Sequence, residues 1–292
     1  MTDGTGRDEQ DLGPELAPPE PAGRGRRLRR FRRIPMRIVL PNLVTLMALC
    51  LGLTSIRFAA EGRFESAVLA ILAAAVLDGL DGRIARALEG ATRFGAELDS
   101  LADFLDFGVA PAMLLYFWSL HEIKGIGWLA AMLFAIACAL RLARFNVMID
   151  DPNKPVWMSN FFIGMPSPAG AIVVMLPLYL HLSVLGLPNS PDFVPFEIAF
   201  VIVVALLMAS RIPHFSGKKI GRVPREWFIP VLFGTAVLLL LLWQYPMEVL
   251  IVLVVSYLGL IPLAIRRYNA FQRADLAAAA PPPAEAPFPP PA

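Results

Sequence analysis

The sequence is poor in cysteine, in histidine and in charge. Its 292 residues include 2 cysteines and 3 histidines, and 17% of the residues are charged, whereas 57% are hydrophobic. So few cysteines exclude a disulfide-stabilised scaffold, and the histidines and cysteines lack the spacing of a zinc site. Such scarce charge in so apolar a chain argues against a soluble domain and is typical of an integral membrane protein.

Apolar runs make up most of the chain. Each approaches the ~20 residues that a helix needs to span the hydrocarbon core of a bilayer. The sequence therefore predicts an all-α, polytopic integral membrane protein with about eight transmembrane helices in residues 37–268. Cys50 and Cys138 lie inside such runs, where we expect small core residues. The runs lie near residues 38–60, 64–86, 100–120, 126–145, 166–187, 194–210, 227–244 and 247–265.

The two ends of the chain differ from this middle part. Residues 1–36 are polar and end in an arginine-rich stretch, and residues 269–292 are rich in Ala and Pro, so we expect both to be disordered. The arginines are typical of a segment that stays cytoplasmic, and they can also bind anionic lipid headgroups. Nucleic-acid binding is disfavoured because a membrane run follows at once. The distribution of loop arginines and lysines predicts a bacterial-type inner membrane protein with both termini in the cytoplasm.

Four aspartates interrupt the apolar pattern at the cytoplasmic boundary. Asp78 and Asp81 are three residues apart, and Asp99 and Asp103 are four apart, so each pair shares a helix face. An ionised carboxylate in the middle of a bilayer costs about 2.5–3.5 kcal/mol, so four such groups need a cation or a wet cavity. Carboxylate oxygens suit Mg²⁺, Mn²⁺ or Ca²⁺. The stretch therefore predicts a divalent-metal site.

The residues around these acids suit a phosphorylated ligand. Gly82 and Gly95 leave room for a ligand or a second backbone, while Arg86 and Arg93 can bind phosphate oxygens. Two divalent ions about 3.5–4 Å apart can clamp the oxygens of a phosphoryl or phosphodiester displacement. Taken by themselves, the residues indicate a metal-dependent site for a phosphorylated amphiphile.

The spacing of these residues resembles the signature of the CDP-alcohol phosphotransferases. The pattern is D-x-x-D-G-x-x-A-R, eight residues, then G-x-x-x-D-x-x-x-D, and no fixed position is missing. The resemblance implies transfer of a phosphatidyl group from a CDP-linked donor to an alcohol, with release of CMP. The fixed positions are Asp78, Asp81, Gly82, Ala85, Arg86, Gly95, Asp99 and Asp103.

The resemblance also implies a role for each position. The four aspartates would be ligands of Mg²⁺ or Mn²⁺, with two ions in the site, and Asp103 would also be the general base for the acceptor hydroxyl. Asn42 and Thr45, from a P-N-x-x-T pattern, would lie near the nucleotide, although helix capping and interhelical hydrogen bonding explain them equally well. The residues assigned to the nucleotide and donor are Asn42, Thr45, Gly82, Ala85, Arg86 and Gly95.

Three further stretches, FGVAPA, RLARFN and GMPSPA, resemble the phosphatidylserine synthase branch of this family. The resemblance implies CDP-diacylglycerol and L-serine as substrates. Arg141 or Arg144 can pair with the serine carboxylate, or can instead anchor or cap a helix. Asn146 and Ser167 are further acceptor candidates. Asp106 is a departure, because many serine-using members have Ser or Asn there. It can contact the ammonium group of an acceptor, perturb Asp103, or do neither.

Several alternatives remain open. A sister enzyme would use glycerol 3-phosphate, an inositol phosphate or choline, and the basic residues 210–226 suit a phosphorylated acceptor. A divalent-cation transporter would spread its acids along a path through several helices, and a structural scaffold would not explain the aspartate spacing. The aspartates can also form salt bridges with neighbouring arginines. Membrane lipids are expected partners, and helical transferases of this kind are often homodimers, although no residue here shows it.

Overall fold

The computed structural model describes residues 36–90, 92–149, 161–188, 190–215 and 227–279. Over these residues the protein is almost entirely helical, as predicted, with one short two-stranded sheet. The helices are α1 Met36–Ala60, α2 Phe64–Ala87, α3 Arg93–Phe104, α4 Ala110–Trp118, α5 Ile126–Ile149, α6 Ser167–Val174, α7 Leu176–Leu182, α8 Val194–Ala209, α9 Phe228–Gln244 and α10 Pro246–Ala279; the strands are β1 Phe161–Ile163 and β2 Pro213–Phe215.

The helices of the described residues are those of a membrane protein. Four helical segments are long and apolar enough to cross a bilayer: Met36–Ala60, Arg93–Trp118, Ile126–Met148 and Pro246–Arg273. Two shorter apolar helices, α8 and α9, add to them. This confirms the prediction of an all-α polytopic membrane protein, whereas the number of eight spans stays a prediction. Helix α10 continues past the predicted domain boundary at residue 268, and residues 1–35 and 280–292 lie outside the described part.

Helices α1 and α2 form a closely packed hairpin that carries one side of the site. The buried residues of α1 are small, among them Ala48, Gly52 and Ser55, and α2 buries mainly small and aliphatic side chains. Small residues let two membrane helices approach closely. The Ser55 hydroxyl donates a hydrogen bond to the Ala67 carbonyl oxygen at 2.9 Å, which fixes the two helices to each other.

The outer surface of the helices is strongly apolar. Helix α9 exposes Ile229, Leu240 and Trp243, the last with 86% of its surface accessible. Cys50 is also exposed, so the expectation that it is a core residue is wrong, whereas Cys138 is buried as expected. A bilayer covers such a surface with hydrocarbon, which explains why apolar residues face outward along whole helices.

Within the described residues, a two-stranded sheet departs from the helical structure that the apolar runs predicted. Strands β1 and β2 are antiparallel, with Phe162 opposite His214. The sheet is continued by Gly164, whose N–H donates to the Ile212 carbonyl oxygen at 2.9 Å. Gly164 has a φ of +80°, and a Cβ there would lie 2.8 Å from the Met208 carbonyl oxygen, so both conformation and space favour glycine. Strands of three residues are too short to show a period of two in the sequence.

Candidate active site

A π-helical turn separates α3 from α4 and was not predicted from the sequence. It covers Leu105–Val109 within the Arg93–Trp118 segment. Such turns occur mostly as local insertions in α-helices, frequently at functional sites. The turn packs closely on α5, because a Cβ on Gly108 would lie 3.0 Å from the Cys138 Cβ. Asp103 lies at the end of α3, just before this turn, and Asp106 lies within it, so the turn sets the position of the Asp106 carboxylate relative to Asp103.

Three of the four predicted metal ligands lie together. Asp78 of α2 and Asp99 and Asp103 of α3 each offer one carboxylate oxygen, and these oxygens lie within 4.8 Å of one another. Asp103 Oδ1 is buried and has no hydrogen-bond partner among the described residues. Hard oxygen donors that converge, one of them unsatisfied, fit a divalent cation such as Mg²⁺ or Mn²⁺. The structure therefore contains an acidic cluster, Asp78–Asp99–Asp103, that can hold a divalent ion.

Asp81 is held apart from this cluster. Its side chain is 4% exposed and accepts a hydrogen bond from the Thr45 hydroxyl of α1 at 2.6 Å. The Thr45 hydroxyl also lies 3.2 Å from the Pro41 carbonyl oxygen. Thr45 thus makes an interhelical hydrogen bond and also lies at the predicted site. The two roles predicted for it, interhelical hydrogen bonding and a place near the nucleotide, are therefore compatible.

A cleft of about 250 Å³ lies next to the acidic cluster, between α1, α2 and the start of α3. It contains all six residues assigned by sequence to the nucleotide and donor, together with Asp81 and Asp99. At Gly95 the walls lie close together, because a Cβ there would lie 2.9 Å from Asn42 Oδ1. The lining residues are Pro41, Asn42, Thr45, Asp81, Gly82, Ala85, Arg86, Gly90, Thr92, Gly95, Ala96 and Asp99.

The cleft's shape depends on how α3 begins. Thr92 caps the helix, because its hydroxyl oxygen accepts a hydrogen bond from the Gly95 N–H at 3.0 Å. Thr92 also lines the cleft. Thr92 belongs to none of the motifs described above, although a threonine directly before a predicted helix is an ordinary capping signal.

The predicted acceptor residues separate into two groups. Arg141 is 9% exposed, its Nη1 donates to Ser167 Oγ at 2.8 Å, and its charge acts on Asp103. Arg144 instead donates from Nη1 to the carbonyl oxygens of Ala209 and Ser210, at 2.9 and 3.2 Å. Arg141 is therefore beside the acidic cluster, whereas Arg144 caps the end of α8. Their roles toward an acceptor stay predictions.

Asn146 and Asp106 lie at different depths. Asn146 is exposed and donates from Nδ2 to Ser100 Oγ at 3.0 Å. Asp106 is 1% exposed, and its Oδ1 has no partner among the described residues. Asp106 lies against α1, because a Cβ on Gly52 would collide with its carboxylate. Asp106 is thus a buried neighbour of the acidic cluster.

Salt bridges do not account for the aspartates. Over the described residues, the ion pairs within 4.0 Å involve Glu61 and Glu122, and none involves the four signature aspartates. The alternative that Arg83, Arg86 and Arg93 neutralise these acids therefore finds no support there. The carboxylates are left to converge on one another, which is unfavourable without a cation.

The sequence is similar to those of known proteins. The sequence model of the CDP-alcohol phosphatidyltransferase family matches residues 38–210. A CDP-diacylglycerol–serine O-phosphatidyltransferase of Mycobacterium leprae is 42% identical over 245 residues, covering 81% of this chain and 77% of the relative. Relatives of the same name from Helicobacter pylori and Bacillus subtilis are 35% and 38% identical; they align with 75% and 61% of this chain and with 87% and 91% of their own lengths.

The match includes the acidic cluster, the adjoining cleft and the π-helical turn. It extends over more than half of the chain, and the similarity to the mycobacterial relative extends further still. On this evidence the chain belongs to the CDP-alcohol phosphatidyltransferase family.

Proposed function

We propose that this protein transfers a phosphatidyl group from CDP-diacylglycerol to the hydroxyl of L-serine, forming phosphatidylserine and CMP. The observation that carries the proposal is a cleft, lined by six of the eight signature residues, beside the Asp78–Asp99–Asp103 cluster. The name shared by relatives at 35–42% identity supports serine as the acceptor. The site lies on apolar helices, as a lipid-linked donor requires.

The acidic cluster would hold Mg²⁺ or Mn²⁺. Asp78, Asp99 and Asp103 supply converging oxygens for one ion, and the family resemblance implies a second ion, which Asp81 would help to hold from the cleft. A bound divalent ion neutralises charge on the phosphate oxygens and stabilises the charge that develops as the bond to CMP breaks. Arg86, which also lines the cleft, adds a cation for the diphosphate.

Asp103 is the proposed general base. Its carboxylate is partly buried, one oxygen has no partner among the described residues, and the Arg141 charge acts on it. It would take the proton from the serine hydroxyl, whose oxygen then attacks the phosphorus on the lipid side of the donor diphosphate. The bond from that phosphorus to CMP breaks, and CMP leaves with the electron pair.

The cleft residues would hold the nucleotide end of the donor. Gly82, Ala85 and Gly95 provide space, and Asn42 and Thr45 offer polar groups from α1. Arg141 and Ser167 would form part of the acceptor side, with Asn146, Arg144 and Asp106 further from direct contact.

We further propose that the protein lies in the inner membrane with both termini in the cytoplasm, which puts the cleft where CDP-linked donors and serine are present. We also propose that it is a homodimer.

The test is CMP release by the purified full-length protein with CDP-diacylglycerol and Mg²⁺ or Mn²⁺. Serine, glycerol 3-phosphate, an inositol phosphate and choline are compared as acceptors. Serine-dependent release supports the proposal. CMP release with another alcohol but not with serine would support the transfer reaction and contradict serine as the acceptor. Absence of release from folded, metal-loaded protein would contradict a transferase and make divalent-cation transport the next activity to measure.

A further inference from the structure

A second group of polar side chains lies beside Arg141, away from the nucleotide cleft. It consists of His214 of β2 and Tyr257 of α10, whose rings are stacked with centroids 5.8 Å apart and planes inclined by 15°. His214 is 1% exposed. The Arg141 charge acts on Tyr257 as well as on Asp103, so the pair belongs to the neighbourhood of the proposed base. Neither residue belongs to a signature motif.

Both rings carry a polar atom that is buried and unsatisfied. His214 Nε2 and the Tyr257 hydroxyl have no hydrogen-bond partner among the described residues. Leaving a buried donor or acceptor unpaired is unfavourable, because the group has lost its hydrogen bonds to water. Two such atoms on stacked rings, close to a buried arginine, are the pattern expected where a polar ligand completes the hydrogen bonding.

The tautomer of His214 determines what kind of ligand group it can bind. Its Nδ1 lies 2.9 Å from the Ile212 carbonyl oxygen, which can only accept, so Nδ1 carries a proton. Burial lowers the pKa of His214, which keeps the ring neutral. In a neutral ring protonated at Nδ1, Nε2 is a hydrogen-bond acceptor. His214 therefore suits a donor such as an ammonium group.

The other two groups suit a carboxylate. The Arg141 guanidinium has five N–H donors, and the contact to Ser167 Oγ uses one of them. The Tyr257 hydroxyl can donate to the same acceptor. A neutral acceptor beside two donors, one of them charged, matches the two ends of an α-amino acid.

We propose that His214 and Tyr257, together with Arg141, form a subsite that selects a zwitterionic amino-acid acceptor, with His214 Nε2 accepting from the ammonium group and Arg141 and Tyr257 donating to the carboxylate. This inference rests on the proposed function and assigns acceptor selection to residues outside the family signature. Because Arg141 lies near enough to Asp103 to act on it electrostatically, an acceptor bound by Arg141 would have its hydroxyl near the base.

The test uses acceptor analogues that each lack one group. Ethanolamine lacks the carboxylate of serine, and 3-hydroxypropionate lacks its ammonium group. The variants are His214→Phe, which keeps an aromatic ring beside Tyr257, and Tyr257→Phe, which removes only the hydroxyl. The KM for serine and CDP-diacylglycerol and the inhibition constants of both analogues are measured with the full-length protein.

We expect His214→Phe to raise the KM for serine about tenfold, because one hydrogen bond to a charged group is lost. The same variant should leave the binding of 3-hydroxypropionate unchanged. Tyr257→Phe should weaken the binding of both serine and 3-hydroxypropionate and leave the binding of ethanolamine unchanged. Neither variant should change the KM for CDP-diacylglycerol. His214→Gln, whose amide oxygen can accept, should recover part of the serine affinity.

If His214→Phe weakened the binding of serine and of 3-hydroxypropionate equally, His214 would not be the residue that binds the ammonium group. A raised donor KM in either variant, or a His214→Gln protein that is no better than His214→Phe, would assign these residues to packing instead. Failure of the proposed function is a separate result, because the unsubstituted protein would then release no CMP with serine.

Discussion

The hydrogen bond from Thr45 to Asp81 gives the most direct test of the site. It joins α1 to α2 across the cleft, and its partners are both buried, with Thr45 5% and Asp81 4% exposed. Thr45→Val keeps the size and branching of the side chain and removes the hydroxyl. Asp81 would then lose the donor that orients its carboxylate toward the cleft.

The size of the effect follows from the kind of hydrogen bond. A hydrogen bond to a charged group contributes about 1.5–3 kcal/mol, and each 1.4 kcal/mol corresponds to a factor of ten. We therefore expect Thr45→Val to lower kcat/KM for CDP-diacylglycerol about 10- to 150-fold. The KM for the acceptor should change little, because Thr45 lines the cleft on the α1–α2 side and Arg141 lies on α5.

The assay is CMP release at limiting CDP-diacylglycerol and saturating serine and Mg²⁺, with Thr45→Ser as the matched control. Thr45→Ser keeps the hydroxyl and should retain most of the activity. If Thr45→Val matched the unsubstituted protein, the hydrogen bond would have no part in donor use. If Thr45→Ser lost as much activity as Thr45→Val, the methyl group's packing would be responsible instead.

Three further predictions concern the same site. Asp103→Asn should reduce transfer at least about 100-fold because the amide cannot take the acceptor proton; CMP release measures this, with circular dichroism as a control for folding. Gly95→Ala should raise the KM for CDP-diacylglycerol and leave that for serine unchanged, because its Cβ would lie 2.9 Å from Asn42 Oδ1. Chelation of divalent ions should stop CMP release, and added Mg²⁺ or Mn²⁺ should restore it, since three carboxylates converge without an ion pair among the described residues.

Each of these has a clear contradicting result. Turnover by Asp103→Asn at the unsubstituted rate would remove Asp103 from the role of base. A Gly95→Ala protein with a raised serine KM and a normal donor KM would put the acceptor, not the nucleotide, beside Gly95. Full activity in chelator, with no residual ion by elemental analysis, would contradict a metal-dependent reaction.

Periodicity and spacing were enough to predict the helical class and which residues share a helix face. Asp99 and Asp103 lie on one face of α3 because a helix brings residues four apart together, and the structure has them in one cluster. The nucleotide residues were assigned from two patterns, one on α1 and one on α2 and α3, and the structure gathers all six around one cleft. Their roles stay predictions until they are measured.

Only the tertiary structure decided how these faces meet. Asp81 shares a helix face with Asp78 in sequence, yet it pairs with Thr45 because of how closely α1 packs on α2. Arg141 and Arg144 are equivalent in the sequence pattern, but one lies beside the acidic cluster and the other caps α8. Helical periodicity determines a residue's face within its own helix, whereas the partner of that face depends on contacts between residues far apart in the chain. For the same reason the sequence could not predict the π-helical turn or the stacked His214 and Tyr257, whose positions depend on packing between α3, α5, β2 and α10.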